Sequence, residues 1–386
     1  MATRRSLLFS PYRLREVEFP NRIILSPMQM YVAGDDGIAT DWHYQHLAKF
    51  AVSGVGCVFT EVLPPDPVGR NTHWDLGIWD EAQVAPLTRI AGFIKESGSI
   101  PAAQMGHAGV KASRQRPSDG LQPLGTEDTE KGEPPWQPVG PVTATHVQGY
   151  HPPHELTTND IHELIDKFGE GANRLDRAGF EFLEVHAAHG YLIHSFYSPI
   201  SNSRTDRYGG SLKNRMRFAL EVAESIRGRW PEKYPLSFRI SAIDAVEGGW
   251  ALEDSAALST ALGAVGVDII DCSSRGVGAA NSLTKLEKAG KSLDEGYQVP
   301  YAEFIRKNVG MPTIAVGLIT RPQHAEAILQ QGRADFIAIA REFLYNPHWA
   351  LHAAEELEPE SAWEDWPPTW SWWLERRNKL GINKVD

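Results

Sequence analysis

Cysteine is almost missing from this chain: Cys57 and Cys272 are the only two in 386 residues. Both sit inside apolar runs that read as strands. They are expected to be buried, inert thiols, which sets aside a disulfide framework and a cysteine nucleophile. Long hydrophobic runs are missing too. No uncharged apolar stretch reaches the ~20 residues that a membrane span needs. No apolar region follows the start at residues 1–5, so no signal peptide is expected. Positive charge is not in surplus: 38 Lys and Arg stand against 49 Asp and Glu, a formal net charge of −11. That balance excludes nucleic acid and an anionic membrane as main partners. The glycine fingerprint of a Rossmann dehydrogenase is incomplete, because Gly276-Val277-Gly278 lacks its third glycine and opens no βαβ unit. A soluble cytoplasmic protein acting on a small molecule is the expectation.

Short continuous apolar runs are plentiful. They fall at 23–26, 57–61, 100–104, 182–186, 236–240, 269–273, 313–316 and 336–340. Unbroken rather than alternating runs predict strands covered on both faces. Helical patterns separate them. Ile161, Leu164, Ile165, Phe168, Ala172 and Leu175 share one face, with Thr158 as the expected N-cap and Gly179 as the stop. Leu212, Met216, Ala219, Ala223 and Ile226 repeat the pattern before Pro231. Eight strands, each followed by a helix, close most simply into a (β/α)8 TIM barrel spanning 1–386 as one domain.

Two segments exceed that plan. Residues 113–153 form a Pro-, Gly- and charge-rich insertion after strand three. It reads either as a lid over the barrel mouth or as a solvated loop. The tail, 358–386, carries five tryptophans between 363 and 373, with Arg376 and Arg377 just after. It reads either as packing on its own barrel or as a subunit interface, since Trp and Arg dominate such patches.

In parallel α/β barrels the chemistry sits at the carboxyl ends of the strands. Strand four ends in His186-Ala187-Ala188-His189-Gly190-Tyr191. Two imidazole N–H groups can grip one oxygen, and a phenol beside them can deliver a proton. That suits a reaction that builds negative charge on a carbonyl or nitro oxygen. The ends of strands seven and eight, Val316-Gly317 and Ala340-Arg341, occupy the usual phosphate cradle of such barrels. Gly317 lets backbone approach an anion, and Arg341 offers a planar fork; a structural salt bridge is the other reading of Arg341. Between the two ends, Gln104 can pair with an imide edge. Arg239 places fixed positive charge where a flavin's anionic reduced form would be stabilised.

Several segments together resemble the old yellow enzyme family of flavin-dependent ene-reductases, and most of all its bacterial branch of xenobiotic reductases. They are NRIILSPMQMY at 21–31, DLGIWDE at 75–81, QMGHAG at 104–109, HAAHGYLIHSFYSPISNSRTDRYGGS at 186–211, AVGLIT at 315–320 and GRADFIAIAREFL at 332–344. The resemblance implies FMN, held non-covalently and reduced by NADPH or NADH. It implies that Ser26, Pro27, Met28, Gln29 and Val62 line the flavin and that Gln104 and Arg239 bond its pyrimidine edge. Gly317, Ala340 and Arg341 hold its phosphate. His186 and His189 bind the substrate oxygen, Tyr191 protonates the α-carbon after hydride delivery to the β-carbon, and Tyr31 orients the substrate. One departure stands out: Gln29 occupies a position where that branch usually has Cys, and it either faces the flavin or packs away from it. A homodimer or homotetramer is expected.

Three other readings compete. The same flavin site could run oxidative desaturation or demethylation, or reduce an activated aromatic thioester. A metal-dependent barrel lyase would use His186 and His189 as ligands, with Glu61 as the best-placed third. A barrel that only binds a ligand or scaffolds an assembly finds support solely in the tryptophan-rich tail.

Overall fold

The computed structural model describes residues 6–145, 149–274, 276–277 and 293–380. The start at 1–5, Gly278, residues 146–148 of the insertion and 381–386 of the tail lie outside them. The chain opens with a short antiparallel hairpin of β1 (Tyr12–Leu14) and β2 (Val17–Phe19). There follow β3 (Ile23–Leu25), α1 (Asp41–Ala51), β4 (Cys57–Leu63), α2 (Val84–Glu96) and β5 (Ile100–Gly106). The insertion holds α3 (Thr126–Thr129) and β6 (Val139–Gly140), which pairs with β7 (His154–Glu155) away from the main sheet. Then come α4 (Thr158–Arg177), β8 (Phe182–Ala187), α5 (Leu192–Tyr197), α6 (Leu212–Arg227), β9 (Leu236–Ser241), α7 (Leu252–Ala264) and β10 (Ile269–Ser273). The described chain ends with α8 (Val299–Val309), β11 (Thr313–Ala315), α9 (Pro322–Gln330), β12 (Phe336–Ile339), α10 (Arg341–Tyr345), α11 (Trp349–Leu357) and α12 (Pro368–Lys379).

β3, β4, β5, β8, β9, β10, β11 and β12 close into an all-parallel barrel, with β12 pairing back onto β3. These are the eight strands expected from the apolar runs; β4 and β5 run two residues further, to Leu63 and Gly106. One set of strand side chains (Leu183, Val185, Phe238, Ile240, Ile337) joins a core with the outer helices. The other set (Phe59, Phe182, Ile269, Ile314, Phe336) packs inside the barrel with Leu14, Val17 and Phe19 of the hairpin. Phe19 meets Phe182 and Phe336 edge-on, at centroid distances of 5.4 and 5.0 Å. The hairpin, which sequence pattern does not foretell, therefore plugs one end of the barrel.

The N-cap of α4 is Thr157, one residue before the expected Thr158. Its Oγ1 accepts from the Asp160 N–H at 3.2 Å, and the Asp160 carboxylate accepts from the Thr157 N–H at 2.8 Å. A reciprocal capping box outcompetes a lone threonine. Gly179, at φ +88°, follows the last turn as expected. The insertion is tied down by Trp136 Nε1 donating to Val68 O (3.1 Å) and Trp74 Nε1 donating to Glu133 (2.9 Å). In the tail, Trp366 is buried between His348 and His352, whereas Trp372 and Trp373 are 48% and 66% exposed. No helix of the described residues is long and apolar enough to cross a membrane.

Candidate active site

Strand register stacks the barrel interior in layers. Phe182, two residues below Glu184, belongs to the apolar floor, and His186, two residues above, reaches the mouth. Register sets Gln104 beside Glu184 and Glu184 beside Ser237; Arg239 lies beside both His186 and Asp271. The middle layer is thus polar inside an apolar barrel. Gln104 Nε2 donates to Glu184 Oε1 at 2.8 Å, and Ser237 Oγ lies 3.0 Å from Oε2. Arg239 Nη1 donates to Ser26 Oγ at 2.9 Å and stands 3.7 Å from Asp271. Burial, reinforced by Asp271, pushes the Glu184 carboxyl above its ordinary range. Burial also raises Asp271, against the pull of Arg239.

Above this layer the chain after β8 makes a tight turn. His189 has φ +59° and Gly190 φ +76°. A Cβ on Gly190 would lie 2.2 Å from Gly276 O, so only glycine fits. Four hydrogen bonds hold the turn. Ser241 Oγ accepts from the His189 N–H at 2.9 Å, His194 Nδ1 accepts from the Gly190 N–H at 2.8 Å, and Lys111 Nζ donates to Gly276 O at 2.9 Å and to His189 O. His194 is fixed in turn by Asp244 at 2.9 Å.

The turn brings His186, His189 and Tyr191 together. The Ala188 N–H donates to His186 Nδ1 at 3.3 Å, which makes Nε2 the protonated nitrogen of a neutral ring. That Nε2 lies 3.1 Å from His189 Nδ1, and His189 Nε2 lies 2.6 Å from Ser273 Oγ. The two rings therefore form a directed chain ending on Ser273, which also accepts from Gln298 Nε2 at 3.0 Å. A substrate oxygen gains both imidazole donors only by replacing His189 and Ser273 as acceptors. Burial and the charge of Arg239 push His186 down to about 3. Burial and His186 push His189 well below the usual imidazole range. Both rings are neutral donors at physiological pH. Tyr191 stacks on His186 (centroids 4.5 Å apart, 21° between planes) and donates to Asn71 Oδ1 at 2.9 Å. Burial raises its phenol pKa, and Arg114 offsets part of the rise.

A cavity of about 600 Å³ opens beside the turn, its wall including Ser26, His189, Arg239, Gly317, Ala340 and Arg341. Gly317 has φ +115°, and a Cβ there would crowd Gln298 and Tyr297 at 3.1 and 3.2 Å. Arg341 is exposed at the cavity edge and forms no salt bridge among the described residues. Pro27, Gln29, Tyr31, Val62, Gln104, His186 and Tyr191 lie outside that wall, and Met28 lines a smaller cleft with Ser26, His43 and Glu61. Gln29 Nε2 is buried without a partner, as is Arg239 Nε. Glu61 accepts from the Met30 N–H at 2.7 Å and sits 3.8 Å from His43. Its Oε1 and the facing His43 Nε2 are both buried without a hydrogen-bond partner among the described residues. Among the described residues no group of three or more His, Cys, Asp or Glu side chains could hold a metal ion.

Residues 7–360 match the family described as NADH:flavin oxidoreductase / NADH oxidase. An NADPH dehydrogenase of Geobacillus thermodenitrificans is 39% identical over 353 residues, 91% of this chain and 95% of that protein. The old yellow enzyme homologue of Zymomonas mobilis superposes with a TM-score of 0.70 at 24% identity, covering 88% of this chain and 90% of that one. A 2-naphthoyl-CoA reductase has the same fold at 23% identity with a TM-score of 0.80 over 91% of this chain; the chain spans about half of it (52%). The chain belongs to the old yellow enzyme family.

As an old yellow enzyme the chain is a flavin- and nicotinamide-linked oxidoreductase on a TIM barrel. Several residues of this old yellow enzyme escape a reading of strand ends. Ser273 closes β10 as a polar residue at the mouth, a signal open to reading. Glu184 sits inside a run taken as apolar, and its charge was the clue. His194 falls four residues after Gly190, on the first turn of α5. Asn71 and Arg114 come from loops whose placement no local pattern encodes.

Proposed function

We propose that this chain reduces activated C=C bonds of enones or nitroalkenes, using FMN bound non-covalently in the 600 Å³ cavity and NADPH or NADH as reductant. The observation that carries the reading is the joining of two ends. A left-handed Gly317, an Arg341 without a salt bridge among the described residues, and His189 share the cavity wall, and His189 is joined to a neutral His186 that stacks on Tyr191. The residues fit the cofactor. Arg239, in the cavity wall, has a buried Nε without an acceptor among the described residues, which a flavin's carbonyl edge would satisfy; Gln29 Nε2, outside that wall, is a second such donor. Gln104, its amide nitrogen fixed by Glu184, keeps its oxygen as an acceptor that an imide N–H would use. Ser26 in the cavity wall would line the ring, joined from outside that wall by Pro27 and Met28, next to it in sequence, and by Val62, in register beside Gln104. Gly317, Ala340 and Arg341 would hold the phosphate. The bound FMN supplies the hydride.

The chain's own groups do the rest. His186 and His189 hydrogen-bond the substrate's carbonyl or nitro oxygen, and both N–H groups strengthen as charge grows there. Tyr191, neutral and raised by burial, donates its phenolic proton to the α-carbon. Asn71 orients that phenol, and Tyr31 orients the substrate. The insertion at 113–153 acts as the lid through its described residues: Arg114 reaches Tyr31, and Tyr150 accepts from Arg114. The test is turnover by the FMN-loaded protein with NADPH or NADH. Consumption of 2-cyclohexenone and a nitrostyrene with formation of the saturated product is expected. No alkene product, together with oxidation of amines, would reassign the chemistry to the oxidative direction.

A further inference from the structure

Arg114 carries a charge that no carboxylate of the described residues answers within 4.0 Å. Its Nη1 lies 3.4 Å from Tyr150 Oη and its Nη2 3.5 Å from Tyr31 Oη, both at the long edge of hydrogen bonding. Its Nε is buried without a partner. Tyr191 lies within the same field, from the other side. Asp75 interacts electrostatically with Arg114, but its oxygens are already taken by the N–H groups of Asn71 and Thr72 and the Thr72 hydroxyl, at 2.7, 3.2 and 2.7 Å. Lys111, three residues earlier, is pushed down to about 7 by burial and by Arg114, and its amine is spent on Gly276 O and His189 O. A guanidinium cannot shed its proton. Holding it among neutral phenols costs free energy unless an anion arrives. Burial pushes the Tyr31 and Tyr191 phenols up, so neither supplies that anion.

We propose that Arg114, with Tyr31 and Tyr150, forms an anion subsite, so that the substrates of this enzyme are activated alkenes bearing a carboxylate in addition to the oxygen held by His186 and His189. The subsite rests on the alkene-reducing reading above, because it places the anion on the Tyr191 side of the histidine pair. A planar carboxylate matches the guanidinium fork and leaves the two phenols as flanking donors.

The test is calorimetric titration of the FMN-saturated protein with 4-hydroxybenzoate and with its neutral methyl ester. The carboxylate is expected to bind about tenfold tighter or more, about 1.4 kcal/mol per decade. That ratio is expected to shrink as salt is raised and to fall toward one in Arg114→Gln. Equal binding of acid and ester by the parent protein, or a ratio kept in Arg114→Gln, overturns the subsite. If that variant does not fold, the parent's ratio and its salt dependence decide alone. A carboxylate preference in a protein that reduces no alkene keeps the subsite and sinks the reduction; reduction of neutral enones with no such preference does the reverse.

Discussion

At the scale of single residues, the value of His189 depends on its being neutral, buried and aimed. Its Nε2 has one acceptor in the resting chain, Ser273. Replacing it with alanine removes one of the two donors proposed for the growing charge, and such a loss commonly lowers turnover on the order of 10²-fold. FMN retention in His189→Ala, read from the absorption spectrum, is expected to change little. Tyr191→Phe removes the proton, not the grip. It is expected to slow 2-cyclohexenone far more than a nitroalkene, because a nitro group bears the charge without prompt protonation. Parental rates in both variants, measured over the same substrates, sink the assignment. Glu184 shows where sequence reading stops. Gln104 and Arg239 were legible as strand-end residues, whereas Glu184, in register beside Gln104, was hidden in a run read as apolar. Its raised pKa means the folded protein holds it neutral. Glu184→Gln is therefore expected to change stability little. Glu184→Ala strips partners from Gln104 and Ser237 and should cost about 1–3 kcal/mol in chemical denaturation.

At the scale of elements, burial decides what the sequence can announce. Each barrel strand is covered on both faces, so each reads as an unbroken apolar run, and all eight were legible to within two residues. The hairpin β1–β2 offers three residues per strand, too few for any period to show. Yet it contributes Leu14, Val17 and Phe19 to the inner core. A plug of this kind keeps water from the polar layer above. Phe19→Ala deletes a ring in contact with two others, and such deletions cost about 3–5 kcal/mol. A lowered denaturant midpoint of that size is the expected result. A shift under 1 kcal/mol would mean that the hairpin is an ornament and that the barrel floor closes without it.

At the scale of the whole molecule, the polar groups folded into the barrel and its helices set a pH window. Burial pushes His43 and His46 down to about 4 and His186 to about 3, and lowers His107, His189, His194 and His348 as well. Their unfolded value is 6.5, so below that pH the unfolded chain binds protons that the folded chain refuses. The stability these rings contribute is complete above 6.5 and is lost as pH falls toward 4. Buried carboxyls act in the opposite sense. Glu61 is raised to about 8, and Asp75, Glu184 and Asp271 are raised too. Their contribution is complete below the unfolded carboxyl range and fades as pH climbs. Between about pH 5 and 6.5 the histidines outnumber the carboxyls, and each net proton taken up on unfolding is worth about 1.4 kcal/mol per pH unit. The denaturant midpoint is therefore expected to rise from pH 5 to pH 6.5, measured at one fixed excess of FMN so that ligand binding does not shift with it. A midpoint that falls over the same interval would mean that the buried carboxyls, not the histidines, govern the fold's response to acid.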